Sequence, residues 1–325
     1  MAYAVDSMIH YAPTSSSRAQ NTLVKALYLK RIFRLLETSP EIVIGQMEII
    51  RQSLARFSNM RVLVIANLES LSYPVSTFKH LTDALDTEQP LNPLDSRAAN
   101  LSEAARNPGS LAYIVPMSTI DSSFLLLTAR GLDSYHHPSL PALMVALAYL
   151  DAVEGPLWTA VRGTGLAYGT SFARGNDTGL LGFRVYRSPD AFKAYKTARA
   201  VIEEFISGAR AFEKHALEGA ISSIVVEFVD EQATMSTAAN LGFVNLVVRG
   251  IEKTWSDGML KKVREVGVEE IKKVLKEIVL PVFLPGKADL VVTCASIMEE
   301  VSCFCRCTRF LLSSVASCGK RINNC

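Results

Sequence analysis

The first 293 residues contain no cysteine; all six (Cys294, Cys303, Cys305, Cys307, Cys318 and Cys325) fall in the last 32 positions. A secreted domain stapled by disulfides distributes its cysteines through the fold, so the body of the chain reads as intracellular. Histidine is scarce as well. His10, His80, His136, His137 and His215 never recur at the spacing that puts two zinc ligands on one helix face. Charge of one sign is not in excess: 34 Lys and Arg face 32 Asp and Glu, a net +2, which leaves no footprint for nucleic acid or acidic lipid. No apolar run reaches the ~18–20 residues that span a bilayer. The longest, Leu140 to Leu150, contains Pro141 and is closed by Asp151, the mark of a buried helix. The N-terminal stretch has neither a basic start with an apolar core nor an Arg-rich amphipathic pattern, and it does not read as a targeting segment.

What is present is enough apolar residue, 49% of 325, for one or two cores. Val24, Leu27, Tyr28, Ile32 and Leu35 recur at threes and fours, which predicts an amphipathic helix over 18–37. Ser39-Pro40 starts another over 41–57. Val62 to Ala66 reads as a short strand buried on both faces, and Pro74 to Asp86 as one more helix. Residues 86–109 hold Pro90, Pro93, Pro108 and Gly109 without a sustained period and read as a linker. Strands are expected at 111–116, 122–130, 166–173, 179–187 and 289–293. Helices are expected at 139–153, from Ser188-Pro189-Asp190 to about 206, and at 214–232, 236–249, 258–265 and 267–277. Strands and helices mix without strict alternation, so the fold class is α+β, a layered mixed sheet packed by helices.

The segment Glu154 to Gly169 stands out. Pro156 to Arg162 reads as a short helix ended by Gly163 and Gly165, and Leu166 to Phe172 alternates as a strand. Arg162 therefore leaves a helix end, and Tyr168 stands six residues on, upon the following strand. A guanidinium beside a phenol is a pair of hydrogen-bond donors for carbonyl or carboxylate oxygens. Helix-capping and a wet tyrosine are the plainer uses of the same two residues.

The run "EGPLWTAVRGTGLAYG", with "YIVPMSTIDSSFLLLTARG" before it and "RSPDAFKAYKTARAVIEEF" after it, resembles the C-terminal, zinc-free half of pitrilysin/insulinase-type metallopeptidases. The spacing of Arg162 and Tyr168 is most similar to the presequence-protease branch. The resemblance covers residues 1 to about 301. It implies that residues 1–86 are the C-terminal remnant of a preceding insulinase-type domain, 87–109 a linker, 110–301 the C-terminal domain, and 302–325 a divergent Cys-rich tail. It also implies that Arg162 and Tyr168 bind substrate backbone, beside zinc carried by the N-terminal half of a longer parent.

The resemblance places no zinc, no other cofactor and no catalytic residue in this chain. Its implied partners are the zinc-bearing half and a peptide substrate, with no nucleic acid and no membrane. The implied compartment is cytoplasmic, or mitochondrial if the parent's N-terminus carries a presequence. The catalytic halves of the family use His-x-x-Glu-His, and the matching helix here, Leu140 to Val153, offers only packing residues. The rival class is a non-catalytic relative that serves as a scaffold or assembly subunit. Two weaker motifs are set aside. Gly163-x-Gly165-x-x-x-Gly169 follows a helix and precedes a strand, the reverse of a nucleotide loop. Cys303-Phe304-Cys305-Arg306-Cys307 has one-residue gaps, too close for the usual zinc pattern.

Overall fold

The computed structural model describes residues 1–73, 76–83, 85–94 and 97–295. The chain forms two compact units. Among the described residues, one gathers Met1–Ala19, Arg97–Asp230 and 254–295; the other gathers 20–94 and Glu231–Lys253.

The first unit is built on a five-stranded mixed sheet. Its strands are β1 (Ala112–Met117), β2 (Ser123–Arg130), β3 (Gly169–Gly175), β4 (Leu180–Ser188) and β5 (Ala288–Ala295), in the spatial order β1-β5-β2-β4-β3. β1 runs parallel to β5, with Ala112 opposite Leu290, and every other pair is antiparallel. β5 carries Asp289 to Thr293 as an almost continuous buried run, as a central strand covered on both faces requires. The helices of this unit are α1 (Ala2–His10), then α4 (Leu140–Asp151), α5 (Ala191–Ser207), α6 (Lys214–Asp230), α8 (Trp255–Glu265) and α9 (Val268–Val274). The other unit holds α2 (Thr22–Thr38), α3 (Pro40–Leu54) and α7 (Met235–Phe243).

The main core lies on one face of the sheet. There Leu125, Leu127, Phe183, Val185, Leu290 and Val292 meet α4, of which ten residues are buried, and the apolar stripe of α5. Ala194, Tyr195, Ala198, Val201, Ile202 and Phe205 form that stripe at helical spacing. Phe172, Phe183, Tyr195 and Phe283 pack ring on ring, and the buried Tyr195 hydroxyl donates to the Phe283 carbonyl at 2.6 Å. The opposite face is covered by α1, whose Ala2, Val5 and Ile9 sit on Leu126 and Val291.

A buried polar cluster anchors α1 there. His10, 2% exposed, lies 3.1 Å from Oδ2 of Asp289 through Nε2, and 2.9 Å from Oδ1 of Asp6 through Nδ1. The Asp6 contact lies off the hydrogen-bonding direction, so it acts through charge. Oδ1 of Asp289 accepts the backbone N–H groups of Gly109 and Leu111 at 2.8 and 2.9 Å. Gly109 has φ 120, and a Cβ there would stand 2.4 Å from the Gly286 carbonyl oxygen, so glycine is required for this close approach. Burial alone would lower the His10 pKa. The hydrogen bond with Asp289 and then the Asp6 carboxylate outweigh it and hold His10 at about 9.

The sheet strands and long helices follow the sequence pattern, with several corrections. Residues 62–66 form no strand, and Val62 and Leu63 are exposed. A lone apolar run needs a ladder partner, and the unit that holds it has no sheet among its described residues. The helix expected over 74–86 shows, among the described residues, only the 3-10 stretch Ser76–Leu81. The helix expected to start at Ser188 begins later: Asp190 is its cap, accepting from Phe192 and Lys193 N–H at 3.1 and 2.9 Å. Ser188 instead ends β4, buried, and donates to the Leu166 carbonyl. The expected linker contains the helical turn Glu103–Arg106 with buried Leu101 and Ala105. The unit boundaries also differ from the expected break at 86, because the apolar face of α1 joins Met1–Ala19 to the sheet unit. The tail, 302–325, lies outside the described residues.

Within the other unit, α2 starts on Asn21, whose side chain accepts from Leu23 and Val24 N–H. Its apolar stripe is bare: α2 has no buried residue, and of α3 only Val43 is buried. Phe33, Ile44, Met47 and Ile49 are each more than 60% exposed.

Candidate functional site

The backbone of the Arg/Tyr segment is more specialised than its pattern implies. Trp158–Arg162 is π-helical, with the Gly163 N–H donating to the Trp158 carbonyl and the Leu166 N–H to that of Val161. Such wide turns cost helix stability and recur at functional positions. Gly163 keeps a right-handed conformation, yet a Cβ there would meet the Thr159 carbonyl oxygen at 2.7 Å. Gly165 alone takes the left-handed turn, at φ 74, that reverses the chain. β3 begins at Gly169, three residues later than expected, so Tyr168 stands just before the strand and not upon it. Its N–H still donates to the Arg187 carbonyl at 2.9 Å. Among the described residues, Arg187 and Glu154 are the non-glycine residues with positive φ, at 52 and 59, and they flank this segment. A left-handed conformation there is strain held by the surrounding structure.

Each donor follows a buried anchor. Val161, fully buried, precedes Arg162, and Ala167, 5% exposed, precedes Tyr168. The anchors fix the backbone while the functional groups stay in solvent. Tyr168 is 58% exposed and Arg162 is exposed beside it. The Arg162 guanidinium carbon lies 4.6 Å above the Tyr168 ring and 5.8 Å from the Trp158 ring, within cation–π range. Among the described residues neither the guanidinium nor the phenol hydroxyl has a hydrogen-bond or ion-pair partner. Stacking occupies the flat face of the guanidinium and leaves its in-plane N–H donors available. The structure therefore brings Arg162 and Tyr168 together at the surface.

Tyr168 also meets Tyr186 edge-on at 6.0 Å, and Tyr186 meets Phe124 at 5.4 Å. This aromatic row escaped the sequence pattern, because it forms only when β2 and β4 pair. Asp151, at the end of α4, accepts the outward N–H of Phe172 on edge strand β3 at 2.8 Å. Among the described residues no group of three or more His, Cys, Asp or Glu side chains is placed to hold a metal ion. His136 and His137 sit in the turn before α4. No helix among the described residues is long and apolar enough to cross a membrane.

Residues 75–224 match the model of the peptidase M16 inactive domain. An uncharacterized protein of Schizosaccharomyces pombe is 28% identical over 290 residues, covering 87% of this chain and 28% of its own length. The chain thus spans 28% of the length of that relative. Among solved structures, a conserved protein from Enterococcus faecalis is similar with a TM-score of 0.53 and 13% identity, covering 71% of this chain and 50% of its own. A peptidase M16 inactive domain from Pseudomonas fluorescens is similar with a TM-score of 0.50 and 16% identity, covering 66% and 48%. At those identities the structural likenesses speak for the fold, and the family match speaks for the lineage. Residues 75–224 match the peptidase M16 inactive domain, which supports reading the chain as the C-terminal half of an insulinase-type peptidase.

Proposed function

We propose that this chain supplies the substrate-binding wall of a zinc metallopeptidase that degrades peptides inside a closed chamber, with Arg162 and Tyr168 as its peptide contacts. The observation that carries the reading is the bare guanidinium stacked on a bare phenol, 4.6 Å apart, on a backbone braced by buried Val161 and Ala167. Arg162 donates to a substrate carbonyl. Tyr168 donates to the same backbone or to the oxyanion that develops on it. Among the described residues no group is placed to hold zinc; the part assigned to this chain is binding and orientation, with the metal in a zinc-bearing partner half. The six-residue spacing supports the presequence-protease-like branch. The bare apolar stripes of α2 and α3 support a segment that completes its core against further protein. A scaffold subunit, the rival class, has no use for an exposed donor pair on a strained backbone.

The test is kinetic, in the full-length protein that carries this segment. Tyr168→Phe lowers kcat by roughly a hundred- to thousand-fold, the cost of about 2.7–4 kcal/mol for one donor to an oxyanion. Arg162→Ala raises KM and lowers kcat together, as loss of a contact made in the ground state and strengthened in the transition state does. Hydrolysis at the parental rate by both variants, with folding intact, shows the pair to be surface packing.

A further inference from the structure

The outer face of the sheet holds a second feature, at the other end of β4 from Tyr168. A cavity of about 300 Å³ lies between α1 and the strands, lined by Tyr3, Leu126, Ala173, Arg174, Gly182 and Arg184 among others. Its size is at the lower end of ligand pockets. Leu181, Phe183 and Val185 face the core, so Leu180, Gly182, Arg184 and Tyr186 form the opposite, outward row. Tyr186 touches Tyr168, and Gly182 floors the cavity. The two are four residues apart on one strand, about 13 Å at the rise of a β-strand. An extended peptide held at Arg162 and Tyr168 covers that distance with four of its own residues.

Packing does not explain the small floor. A Cβ at Gly182 would meet only ordinary neighbours, the Leu127 and Ala173 carbonyl oxygens at 3.6 and 3.7 Å. Glycine there keeps the floor open. The walls differ in charge. On the α1 side the Asp6 carboxylate is already engaged by His10 and by the Thr128 hydroxyl at 3.2 Å. On the strand side stands Arg184. Arg184 reaches Ser171 through Nε, which leaves further guanidinium N–H groups for an acid.

We propose that this cavity is a specificity subsite for an extended peptide, receiving an apolar side chain over Leu126 and Gly182 and pairing a carboxylate two residues along the peptide, on the same face, with Arg184. The proposal rests on the reading of Arg162 and Tyr168 as peptide contacts and names the substrate class they serve. It makes the chain selective for peptides with an aromatic and an acidic residue two positions apart, about four residues from the backbone group held at Arg162.

Fluorescence anisotropy of the whole chain tests it, with two fluorescein-labelled decapeptides: one of alanine and glycine only, the other with a central Phe–Ala–Glu. Burial of one aromatic side chain makes the second peptide bind about tenfold more tightly or better. Ala173→Leu and Gly182→Ala, which fill the cavity from an exposed position and from one with room for a methyl group, remove that preference. They leave the affinity for the plain peptide unchanged, and circular dichroism confirms their fold. Arg162→Ala weakens both peptides by one common factor and preserves the preference. Equal binding of both peptides to the parent chain, no binding of either, or a preference that survives both filled variants overturns the subsite. A preference that persists while Arg162→Ala changes neither affinity upholds the subsite and refutes the Arg162 reading instead.

Discussion

Raising the pH from 6 to 9.5 should destabilise the sheet unit through His10. The histidine is 2% exposed and sits between Asp6 and Asp289, which hold it protonated up to about 9, against an ordinary value of 6.5. The folded state therefore binds a proton that the unfolded state has released across that interval. Because the folded pKa is the higher one, the stabilisation is complete below pH 6.5 and is lost as the pH rises through about 9. At about 1.4 kcal/mol per pH unit, the interval corresponds to a loss of about 3 kcal/mol. Losing the charge also weakens the anchor of α1, since Asp289 keeps its backbone partners Gly109 and Leu111 but no cation. Urea unfolding followed by tryptophan fluorescence at several pH values measures the effect, Trp158 and Trp255 both lying in the sheet unit. His10→Gln should be less stable at pH 6, and its unfolding free energy should change far less than the parent's between pH 6.5 and 9. Parallel pH profiles for the parent and His10→Gln would refute the assignment of a charged His10.

Gly109→Ala places a methyl group 2.4 Å from the Gly286 carbonyl oxygen at φ 120, and should lower the melting temperature by the equivalent of about 1–3 kcal/mol. An unchanged melting curve would mean that the 109–111 turn yields freely. Tyr195→Phe removes the buried donor to the Phe283 carbonyl and leaves that oxygen unsatisfied, a cost of about 1–3 kcal/mol readable in a denaturant midpoint. A neutral result would show that water reaches the Phe283 carbonyl.

Much of the sheet unit was legible because its periods are strong. α5 buries residues at threes and fours along its whole length, and β4 alternates without a break from Leu181 to Val185. The Val62–Ala66 run failed for the opposite reason. Five apolar residues state a wish for burial but name no partner, and a strand exists only where a second one pairs with it. α2 and α3 were found and their stripes read correctly, yet those stripes stay exposed, because period alone does not say what covers a face. The function of α1 was missed although Ala2, Val5 and Ile9 already mark one face, with Asp6 and His10 one turn apart. Its partner Asp289 lies 279 residues away from His10, beyond the reach of any local pattern.

By itself the amino-acid sequence determined the α+β class, the long helices, the five strands of the sheet unit to within a few residues, and the Arg162–Tyr168 pair as the residues to inspect. These rest on local properties: side-chain period, chain-reversing glycines and the chemistry of two donors. Only the tertiary structure decided that Trp158–Arg162 is a π-turn, that Tyr168 precedes its strand, and that the guanidinium lies over the phenol ring. It also decided that β5 enters between β1 and β2, which puts Asp289 beneath α1, and that the outward row of β4 joins Tyr168 to the cavity. The physical reason is that strand order and register are set by long-range pairing, where a shift of one residue exchanges the two faces of the sheet.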